Sequence, residues 1–311
     1  MVSDAHRRRR LGVAVLLLWT TCSALRAPIL ATMAPPSDAE RYASTDASAG
    51  AMKRAAVKFR DRVGTERYRA DPGRYVLYVS KACPWAHRCL VVRALKGLDD
   101  AIGVVHTDYH LDHLADSFDP ATSHLYRGWT FMPGEPHGFQ YLDELYEHAA
   151  PGYRASFGAE RPSFTVPVLF DTQTQTIVNT ESADIIEMLN REFEAVATNQ
   201  SDSFGDLAPA ELSDEMAAVD AIVYPGINDG VYRCGFARTQ DAYDHAYERH
   251  WAAMDAIEAR LAASSSDDGP FLFGASPTLS DVRLWTTLVR YDAVYYSHFK
   301  TSRTRLVDMP H

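Results

Sequence analysis

Cys83, followed by Pro84, Trp85 and Ala86, has the surroundings of a nucleophile. Ahead of it, Tyr75-Val-Leu-Tyr-Val79 is apolar and β-branched and reads as a buried strand. Behind it, Ala86, Leu90, Val91, Ala94 and Leu95 recur at helical spacing, and Gly97 suits a helix end. Proline fits the first helical position, where a missing N–H costs nothing, so Cys83 falls at a helix N-terminus. The helix dipole and the unpaired N–H groups there favour a thiolate over a thiol. The plainer alternative is a small cysteine that only packs. A dithiol redox pair needs Cys-x-x-Cys, but the fourth position is Ala86. Cys89 lies about a turn and a half into the helix and is expected to face the core. A disulfide made by Cys83 must then be resolved by an outside thiol, for which glutathione is the obvious candidate.

A second group of chemistry-bearing residues follows: His106, His110, His113, His124 and His137, with Asp108 and Asp112 among them. Their spacing fits no helix-face or Cys/His template for a metal, and solvated loop histidines are the default reading. Gly128-Trp-Thr-Phe131, in the same stretch, reads as a loop anchored by its aromatics.

The elements that must hold these residues come from a chain of 311 residues, 46% hydrophobic, long enough for one or two cored domains. A net charge of −10 argues against nucleic acid or an anionic membrane as partner. Four scattered cysteines make no disulfide scaffold, and a reducing compartment is the simpler home. Arg7 to Arg10, a short apolar run to Trp19 and the small residues up to Ala24 read as a signal-like segment. The apolar run falls short of the roughly 20 residues needed to span a bilayer. Residues 25–50, rich in Ala, Ser, Thr and Pro, are expected to be flexible. A bipartite presequence leading to a plastid or another organelle is favoured, because a glutathione-dependent thiol works poorly in an oxidising exterior. Secretion and, with a later start codon, the cytoplasm are the alternatives.

A second strand is expected over 102–106, parallel to the first, then a long polar loop over 106–141 and a helix over 140–149. Phe164-Thr-Val-Pro-Val-Leu-Phe170 reads as a strand in which Pro167 argues for an edge or turn and a cis bond is open to it. Thr176-Ile-Val-Asn179 follows at hairpin distance, and Ser182 is the expected N-cap of the next helix. The layout β-α-β then β-β-α is thioredoxin-like. From 207 onward the period is helical. Tyr247, Trp251, Met254, Ile257 and Leu261 share one face, and Thr278-Leu-Ser-Asp281 is a capping-box variant opening a helix over 282–291. The expected boundaries are 1–50 presequence, 51–190 thioredoxin-like domain, 191–206 linker and 207–311 all-helical domain.

Longer motifs carry a more specific likeness. In the first half they are Ser80-Lys-Ala-Cys-Pro-Trp-Ala-His-Arg88, Gly128-Trp-Thr-Phe131, Thr165-Val-Pro-Val-Leu169 and Asn179-Thr-Glu-Ser-Ala-Asp-Ile-Ile186. In the second half they are Ile222-Val-Tyr-Pro-Gly-Ile-Asn-Asp-Gly-Val-Tyr232 and Arg283-Leu-Trp-Thr-Thr-Leu-Val-Arg-Tyr-Asp-Ala-Val-Tyr-Tyr-Ser-His-Phe-Lys300. Together these resemble the Xi-class glutathione transferases, the glutathionyl-hydroquinone reductases, from about Tyr75 onward. The resemblance implies the glutathione transferase fold and removal of glutathione from glutathionyl-hydroquinones through a Cys83–glutathione mixed disulfide. Glutathione serves as co-substrate, and neither metal nor nicotinamide is required. It implies that Val166 pairs its backbone with the cysteinyl unit of glutathione, that Glu181 and Ser182 hold the γ-glutamyl end, and that Trp129 packs over the tripeptide. Tyr224 and Tyr295 would bind the quinol oxygens and assist proton delivery. It also implies a possible homodimer and further C-terminal helices beyond Asp308-Met-Pro-His311, so that the chain reads as truncated. Two alternatives stand beside it: a broader glutathione-dependent thiol transferase or dehydroascorbate reductase using the same Cys83, and a non-catalytic glutathione-fold binding protein.

Overall fold

A computed structural model describes residues 50–52, 54, 56–111, 125–158, 161–197, 204–264 and 269–311. The signal-like segment, Asp112, His113 and His124 lie outside the described residues. The chain forms two compact units, one spanning 53–209 and the other 210–311 with residues 50–52.

In the first unit, five strands lie in the order β3-β2-β1-β4-β5. β1 (Tyr75–Val79) and β2 (Ile102–Leu111) are parallel, joined through helix α1 (Pro84–Leu95). β4 (Val168–Asp171) runs antiparallel to β1, and β5 (Thr176–Asn179) closes the hairpin. This is the expected thioredoxin-like order with three corrections. β2 runs on to Leu111, and β3 (Trp129–Phe131) pairs antiparallel with it, so the expected loop over 106–141 contains sheet. The strand expected over 164–170 begins only at Val168, after Pro167, which has no N–H to give a ladder. Nor is β4 an edge, since it is flanked by β1 and β5. The Val166–Pro167 bond is cis.

Alternation along β1 sends side chains to both faces. The Tyr75 ring meets Phe193, just beyond helix α3 (Ser182–Arg191), which packs on α1. The Tyr78 ring meets Phe131 and Phe170, and Phe170 meets His148 on helix α2 (Leu142–Ala149). Helices therefore cover both faces. The buried Arg74 guanidinium donates to both Asp171 oxygens at 2.9 and 2.7 Å, tying the start of β1 to the end of β4.

The second unit is helical: α4 (Ser213–Ile222), α5 (Gly230–Gly235), α6 (Gln240–Ala263) and α7 (Leu279–Leu288). Trp251, Met254 and Ile257 of α6 are buried at the centre, with Tyr247 and Leu261 half-buried at the margin of the same stripe. Thr278 and Asp281 form the capping box of α7. The expected helix over 282–291 starts earlier and ends at Leu288. Two π-helical turns, Val223–Asn228 and Tyr291–Tyr295, interrupt the α-helical register.

Candidate active site

Cys83 is the N-cap of α1, in extended backbone geometry, with Pro84 in the first turn. The turn before it is held by the Cys83 N–H on the Ser80 carbonyl at 3.1 Å, and by the Ala82 N–H on the Ser80 hydroxyl at 3.3 Å. The Cys83 thiol is half-buried and donates to the Val166 carbonyl at 3.4 Å. Cys89 and Cys234 are fully buried. Burial pushes the Cys89 thiol well above its ordinary range and that of Cys234 up to about 12. Among the described cysteines, Cys83 alone combines exposure with a helix N-terminus. Because Cys89 is inside the core and position 86 is a buried alanine, this site holds one thiol and not a pair.

Val166 is brought to Cys83 by the segment ahead of β4. Tyr146 of α2 brackets that segment, donating to the Thr165 carbonyl at 2.8 Å and receiving the Thr165 N–H at 3.3 Å. Burial pushes this phenol up to about 12, so it stays a donor. Among the described residues no acceptor meets the Val166 N–H, which leaves a backbone donor beside the thiol for an extended ligand. Tyr146 was not singled out from the sequence, where it reads only as one residue of a helical stripe.

Glu181, not Ser182, is the N-cap of α3, and its carboxylate accepts the Ala183 N–H at 3.1 Å. Ser182 is the first helical residue and is buried. An acidic side chain serves as well as a hydroxyl at this position because it reaches the same orphan N–H and carries charge complementary to the dipole. Asn179, fully buried, orients the corner by accepting the Glu181 N–H at 2.7 Å and donating to Asp61 and Asp184. Trp129 stands half-buried on the edge strand β3, separated from β1 by β2. Gly128 before it has φ +82°, and a Cβ there would lie 3.1 Å from those of Leu142 and Phe164.

Tyr224 and Tyr295 belong to the other unit, and each sits in a π turn. The first turn has an evident cause. Pro225 lacks an N–H and would press on a carbonyl one turn earlier in an α-helix, and the wider i→i+5 register relieves both. The Asp229 N–H accordingly donates to the Tyr224 carbonyl at 2.8 Å. Tyr224 is half-buried, whereas Tyr295 is 1% exposed, its hydroxyl 3.2 Å from that of Tyr232. In the sequence Tyr232 stands out only as the last residue of the 222–232 motif. Its closeness to Tyr295 depends on the π turns, which shift the phase of the helix and leave no simple periodic trace in the sequence.

Residues 82–192 match the glutathione S-transferase N-terminal domain family, and 240–308 the C-terminal domain family. The glutathionyl-hydroquinone reductase PcpF of Sphingobium chlorophenolicum is 38% identical over 249 residues, 78% of this chain and 70% of the relative. The crystal structure of glutathione S-transferase Xi from Phanerochaete chrysosporium superposes with a TM-score of 0.72 at 36% identity, over 86% of this chain and 80% of that one. The glutathione-bound structure of YqjG from Escherichia coli K-12 superposes with a TM-score of 0.68 at 35% identity, over 81% and 78%. The likeness spans both units, and the chain belongs to the glutathione S-transferase family, in its Xi class.

Proposed function

We propose that the protein is a glutathionyl-hydroquinone reductase with Cys83 as its nucleophile. The observation that carries this is the single half-buried thiol at the N-cap of α1, beside the carbonyl that precedes the cis-proline. The Cys83 thiolate attacks the sulfur of the adduct's glutathionyl group. A Cys83–glutathione disulfide forms, the carbon–sulfur bond breaks, and its electron pair goes to the ring carbon, which takes a proton and leaves as hydroquinone. A second glutathione, as thiolate, attacks the glutathione sulfur, releasing glutathione disulfide and regenerating Cys83. The two electrons come from the two glutathione sulfurs. Val166 pairs its backbone with the cysteinyl unit of glutathione, and Trp129 packs over the tripeptide. Glu181 and Ser182, with the N–H groups opening α3, hold the γ-glutamyl ammonium and carboxylate. Tyr224 and Tyr295 bind the quinol oxygens and supply the proton.

The test supplies full-length protein with the glutathionyl adduct of a simple hydroquinone and excess glutathione, wild type beside Cys83→Ser, with intact mass followed during turnover. Free hydroquinone and a glutathione-sized adduct on wild type alone are expected. Folded wild-type protein that releases no hydroquinone would sink the reading.

A further inference from the structure

The two π turns bearing Tyr224 and Tyr295 are joined by a buried polar chain that runs through one histidine. His250 lies on α6 and is wholly buried. Its Nδ1 is 2.8 Å from the Gly226 carbonyl of the first π turn, and its Nε2 is 2.9 Å from the Tyr291 hydroxyl, at the start of the second. A carbonyl only accepts, so Nδ1 carries the proton; burial holds the ring neutral, its pKa lowered to about 4, which leaves Nε2 to accept from Tyr291. The chain continues at Thr301, whose carbonyl lies 3.2 Å from the Tyr291 hydroxyl and accepts the Trp251 indole N–H at 3.1 Å. The Thr301 hydroxyl donates to the Tyr295 carbonyl at 2.8 Å, where the second π turn ends. His250, Tyr291, Tyr295 and Thr301 are at most 1% exposed.

A π turn shifts its carbonyls from the i→i+4 to the i→i+5 ladder, and a side-chain donor on the second lone pair of such a carbonyl holds that wider register in place. Here side chains reach a carbonyl at both turns: His250 donates to Gly226, and the Thr301 hydroxyl joins the Phe299 N–H, 3.2 Å away, on Tyr295. The approach is close: a Cβ on Gly226 would lie 2.3 Å from that of Ala253 on α6. Tyr224 is two residues from the first anchored carbonyl, and Tyr295 itself carries the second.

From this we infer that His250 is a positioning residue: by bonding Gly226 and Tyr291 at once, it fixes the two π turns and so the settings of Tyr224 and Tyr295. The inference deepens the quinol-reductase reading and rests on it for its consequence in turnover. His250→Asn keeps a donor for Gly226 and removes the acceptor for Tyr291, and Tyr291→Phe removes the same bond from its other end. Each variant of the full chain is expected to lower the kcat for hydroquinone release by about tenfold or more, the scale of a small misplacement of catalytic groups. Glutathione-dependent reduction of a small mixed disulfide, which needs Cys83 but no proton at carbon, should hold within about twofold. The double variant should fall no further than either single one. Hydrogen exchange read by mass spectrometry should quicken over 223–231 and 291–299 in both variants and stay unchanged in the first unit. Equal loss in both reactions, or losses that multiply in the double variant, overturns the inference. So does unchanged exchange in the two π turns, a readout that stands even if wild type releases no hydroquinone and the functional reading itself fails.

Discussion

Two opposing influences meet at the Cys83 sulfur. The N-terminus of α1 stabilises negative charge there, while the Val166 carbonyl at 3.4 Å presents its oxygen and favours the protonated thiol. The helix end acts through several N–H dipoles, whereas the carbonyl is a single weak acceptor for S–H, so the helix should prevail. Iodoacetamide should therefore label Cys83 with a pH midpoint below the ~8.5 of an ordinary thiol. Cys89 and Cys234, with thiols raised by burial, should react only after unfolding. Peptide mass spectrometry over a pH series distinguishes them; a Cys83 midpoint at or above the ordinary value would mean that the carbonyl governs. Tyr295 shows the limit of reading single residues. A tyrosine late in a helical stretch announces neither full burial nor a hydroxyl partner sixty-three positions away in the chain.

Elements written in short-range code were legible. The strand before Cys83, Pro84 in the first helical turn and the capping box at Thr278 each depend on neighbours within a few residues, and each stands where the residues say. Asp281 makes the point quantitatively. It accepts from the Thr278 N–H and hydroxyl at 2.8 and 2.7 Å, and from the distant Leu272 N–H at 2.8 Å. Asp281→Ala should lower stability by about 2 kcal/mol, a lost cap plus a stranded buried donor, measured by urea unfolding. Loss of only a few tenths would show that the box is ornamental to the fold. Strand β3 was hidden because it is three residues long and its ladder partners lie far back in the chain, Leu111 with Trp129 and Thr107 with Phe131. The switch of N-cap from Ser182 to Glu181 was hidden because both residues can cap, and only the backbone corner set by Asn179 decides between them.

At the scale of the molecule, the buried His250 ties stability to pH. The folded state holds it neutral with a pKa near 4, because burial outweighs the Gly226 hydrogen bond, while the unfolded chain titrates near 6.5. The unfolded state thus binds the extra proton, and this contribution is complete above pH 6.5 and lost as pH falls towards 4. Roughly 3 kcal/mol is at stake. Unfolding free energies across that window should fall more steeply for wild type than for His250→Asn, and parallel curves would remove the histidine from the account. The π turns carry a different consequence for the molecule as a whole. Each holds one more residue than an α-helical turn would, and one residue is worth about 100° of rotation. Everything after Asn228 is therefore set at an angle that only the widened turn supplies. Drawing the turn tight into an α-helix with all its residues kept would swing Tyr232 round the axis, away from Tyr295, whereas removing a single residue between 223 and 228 would restore an ordinary helix and leave Tyr232 in place. At these two places the count of residues, more than their identity, aims the side chains.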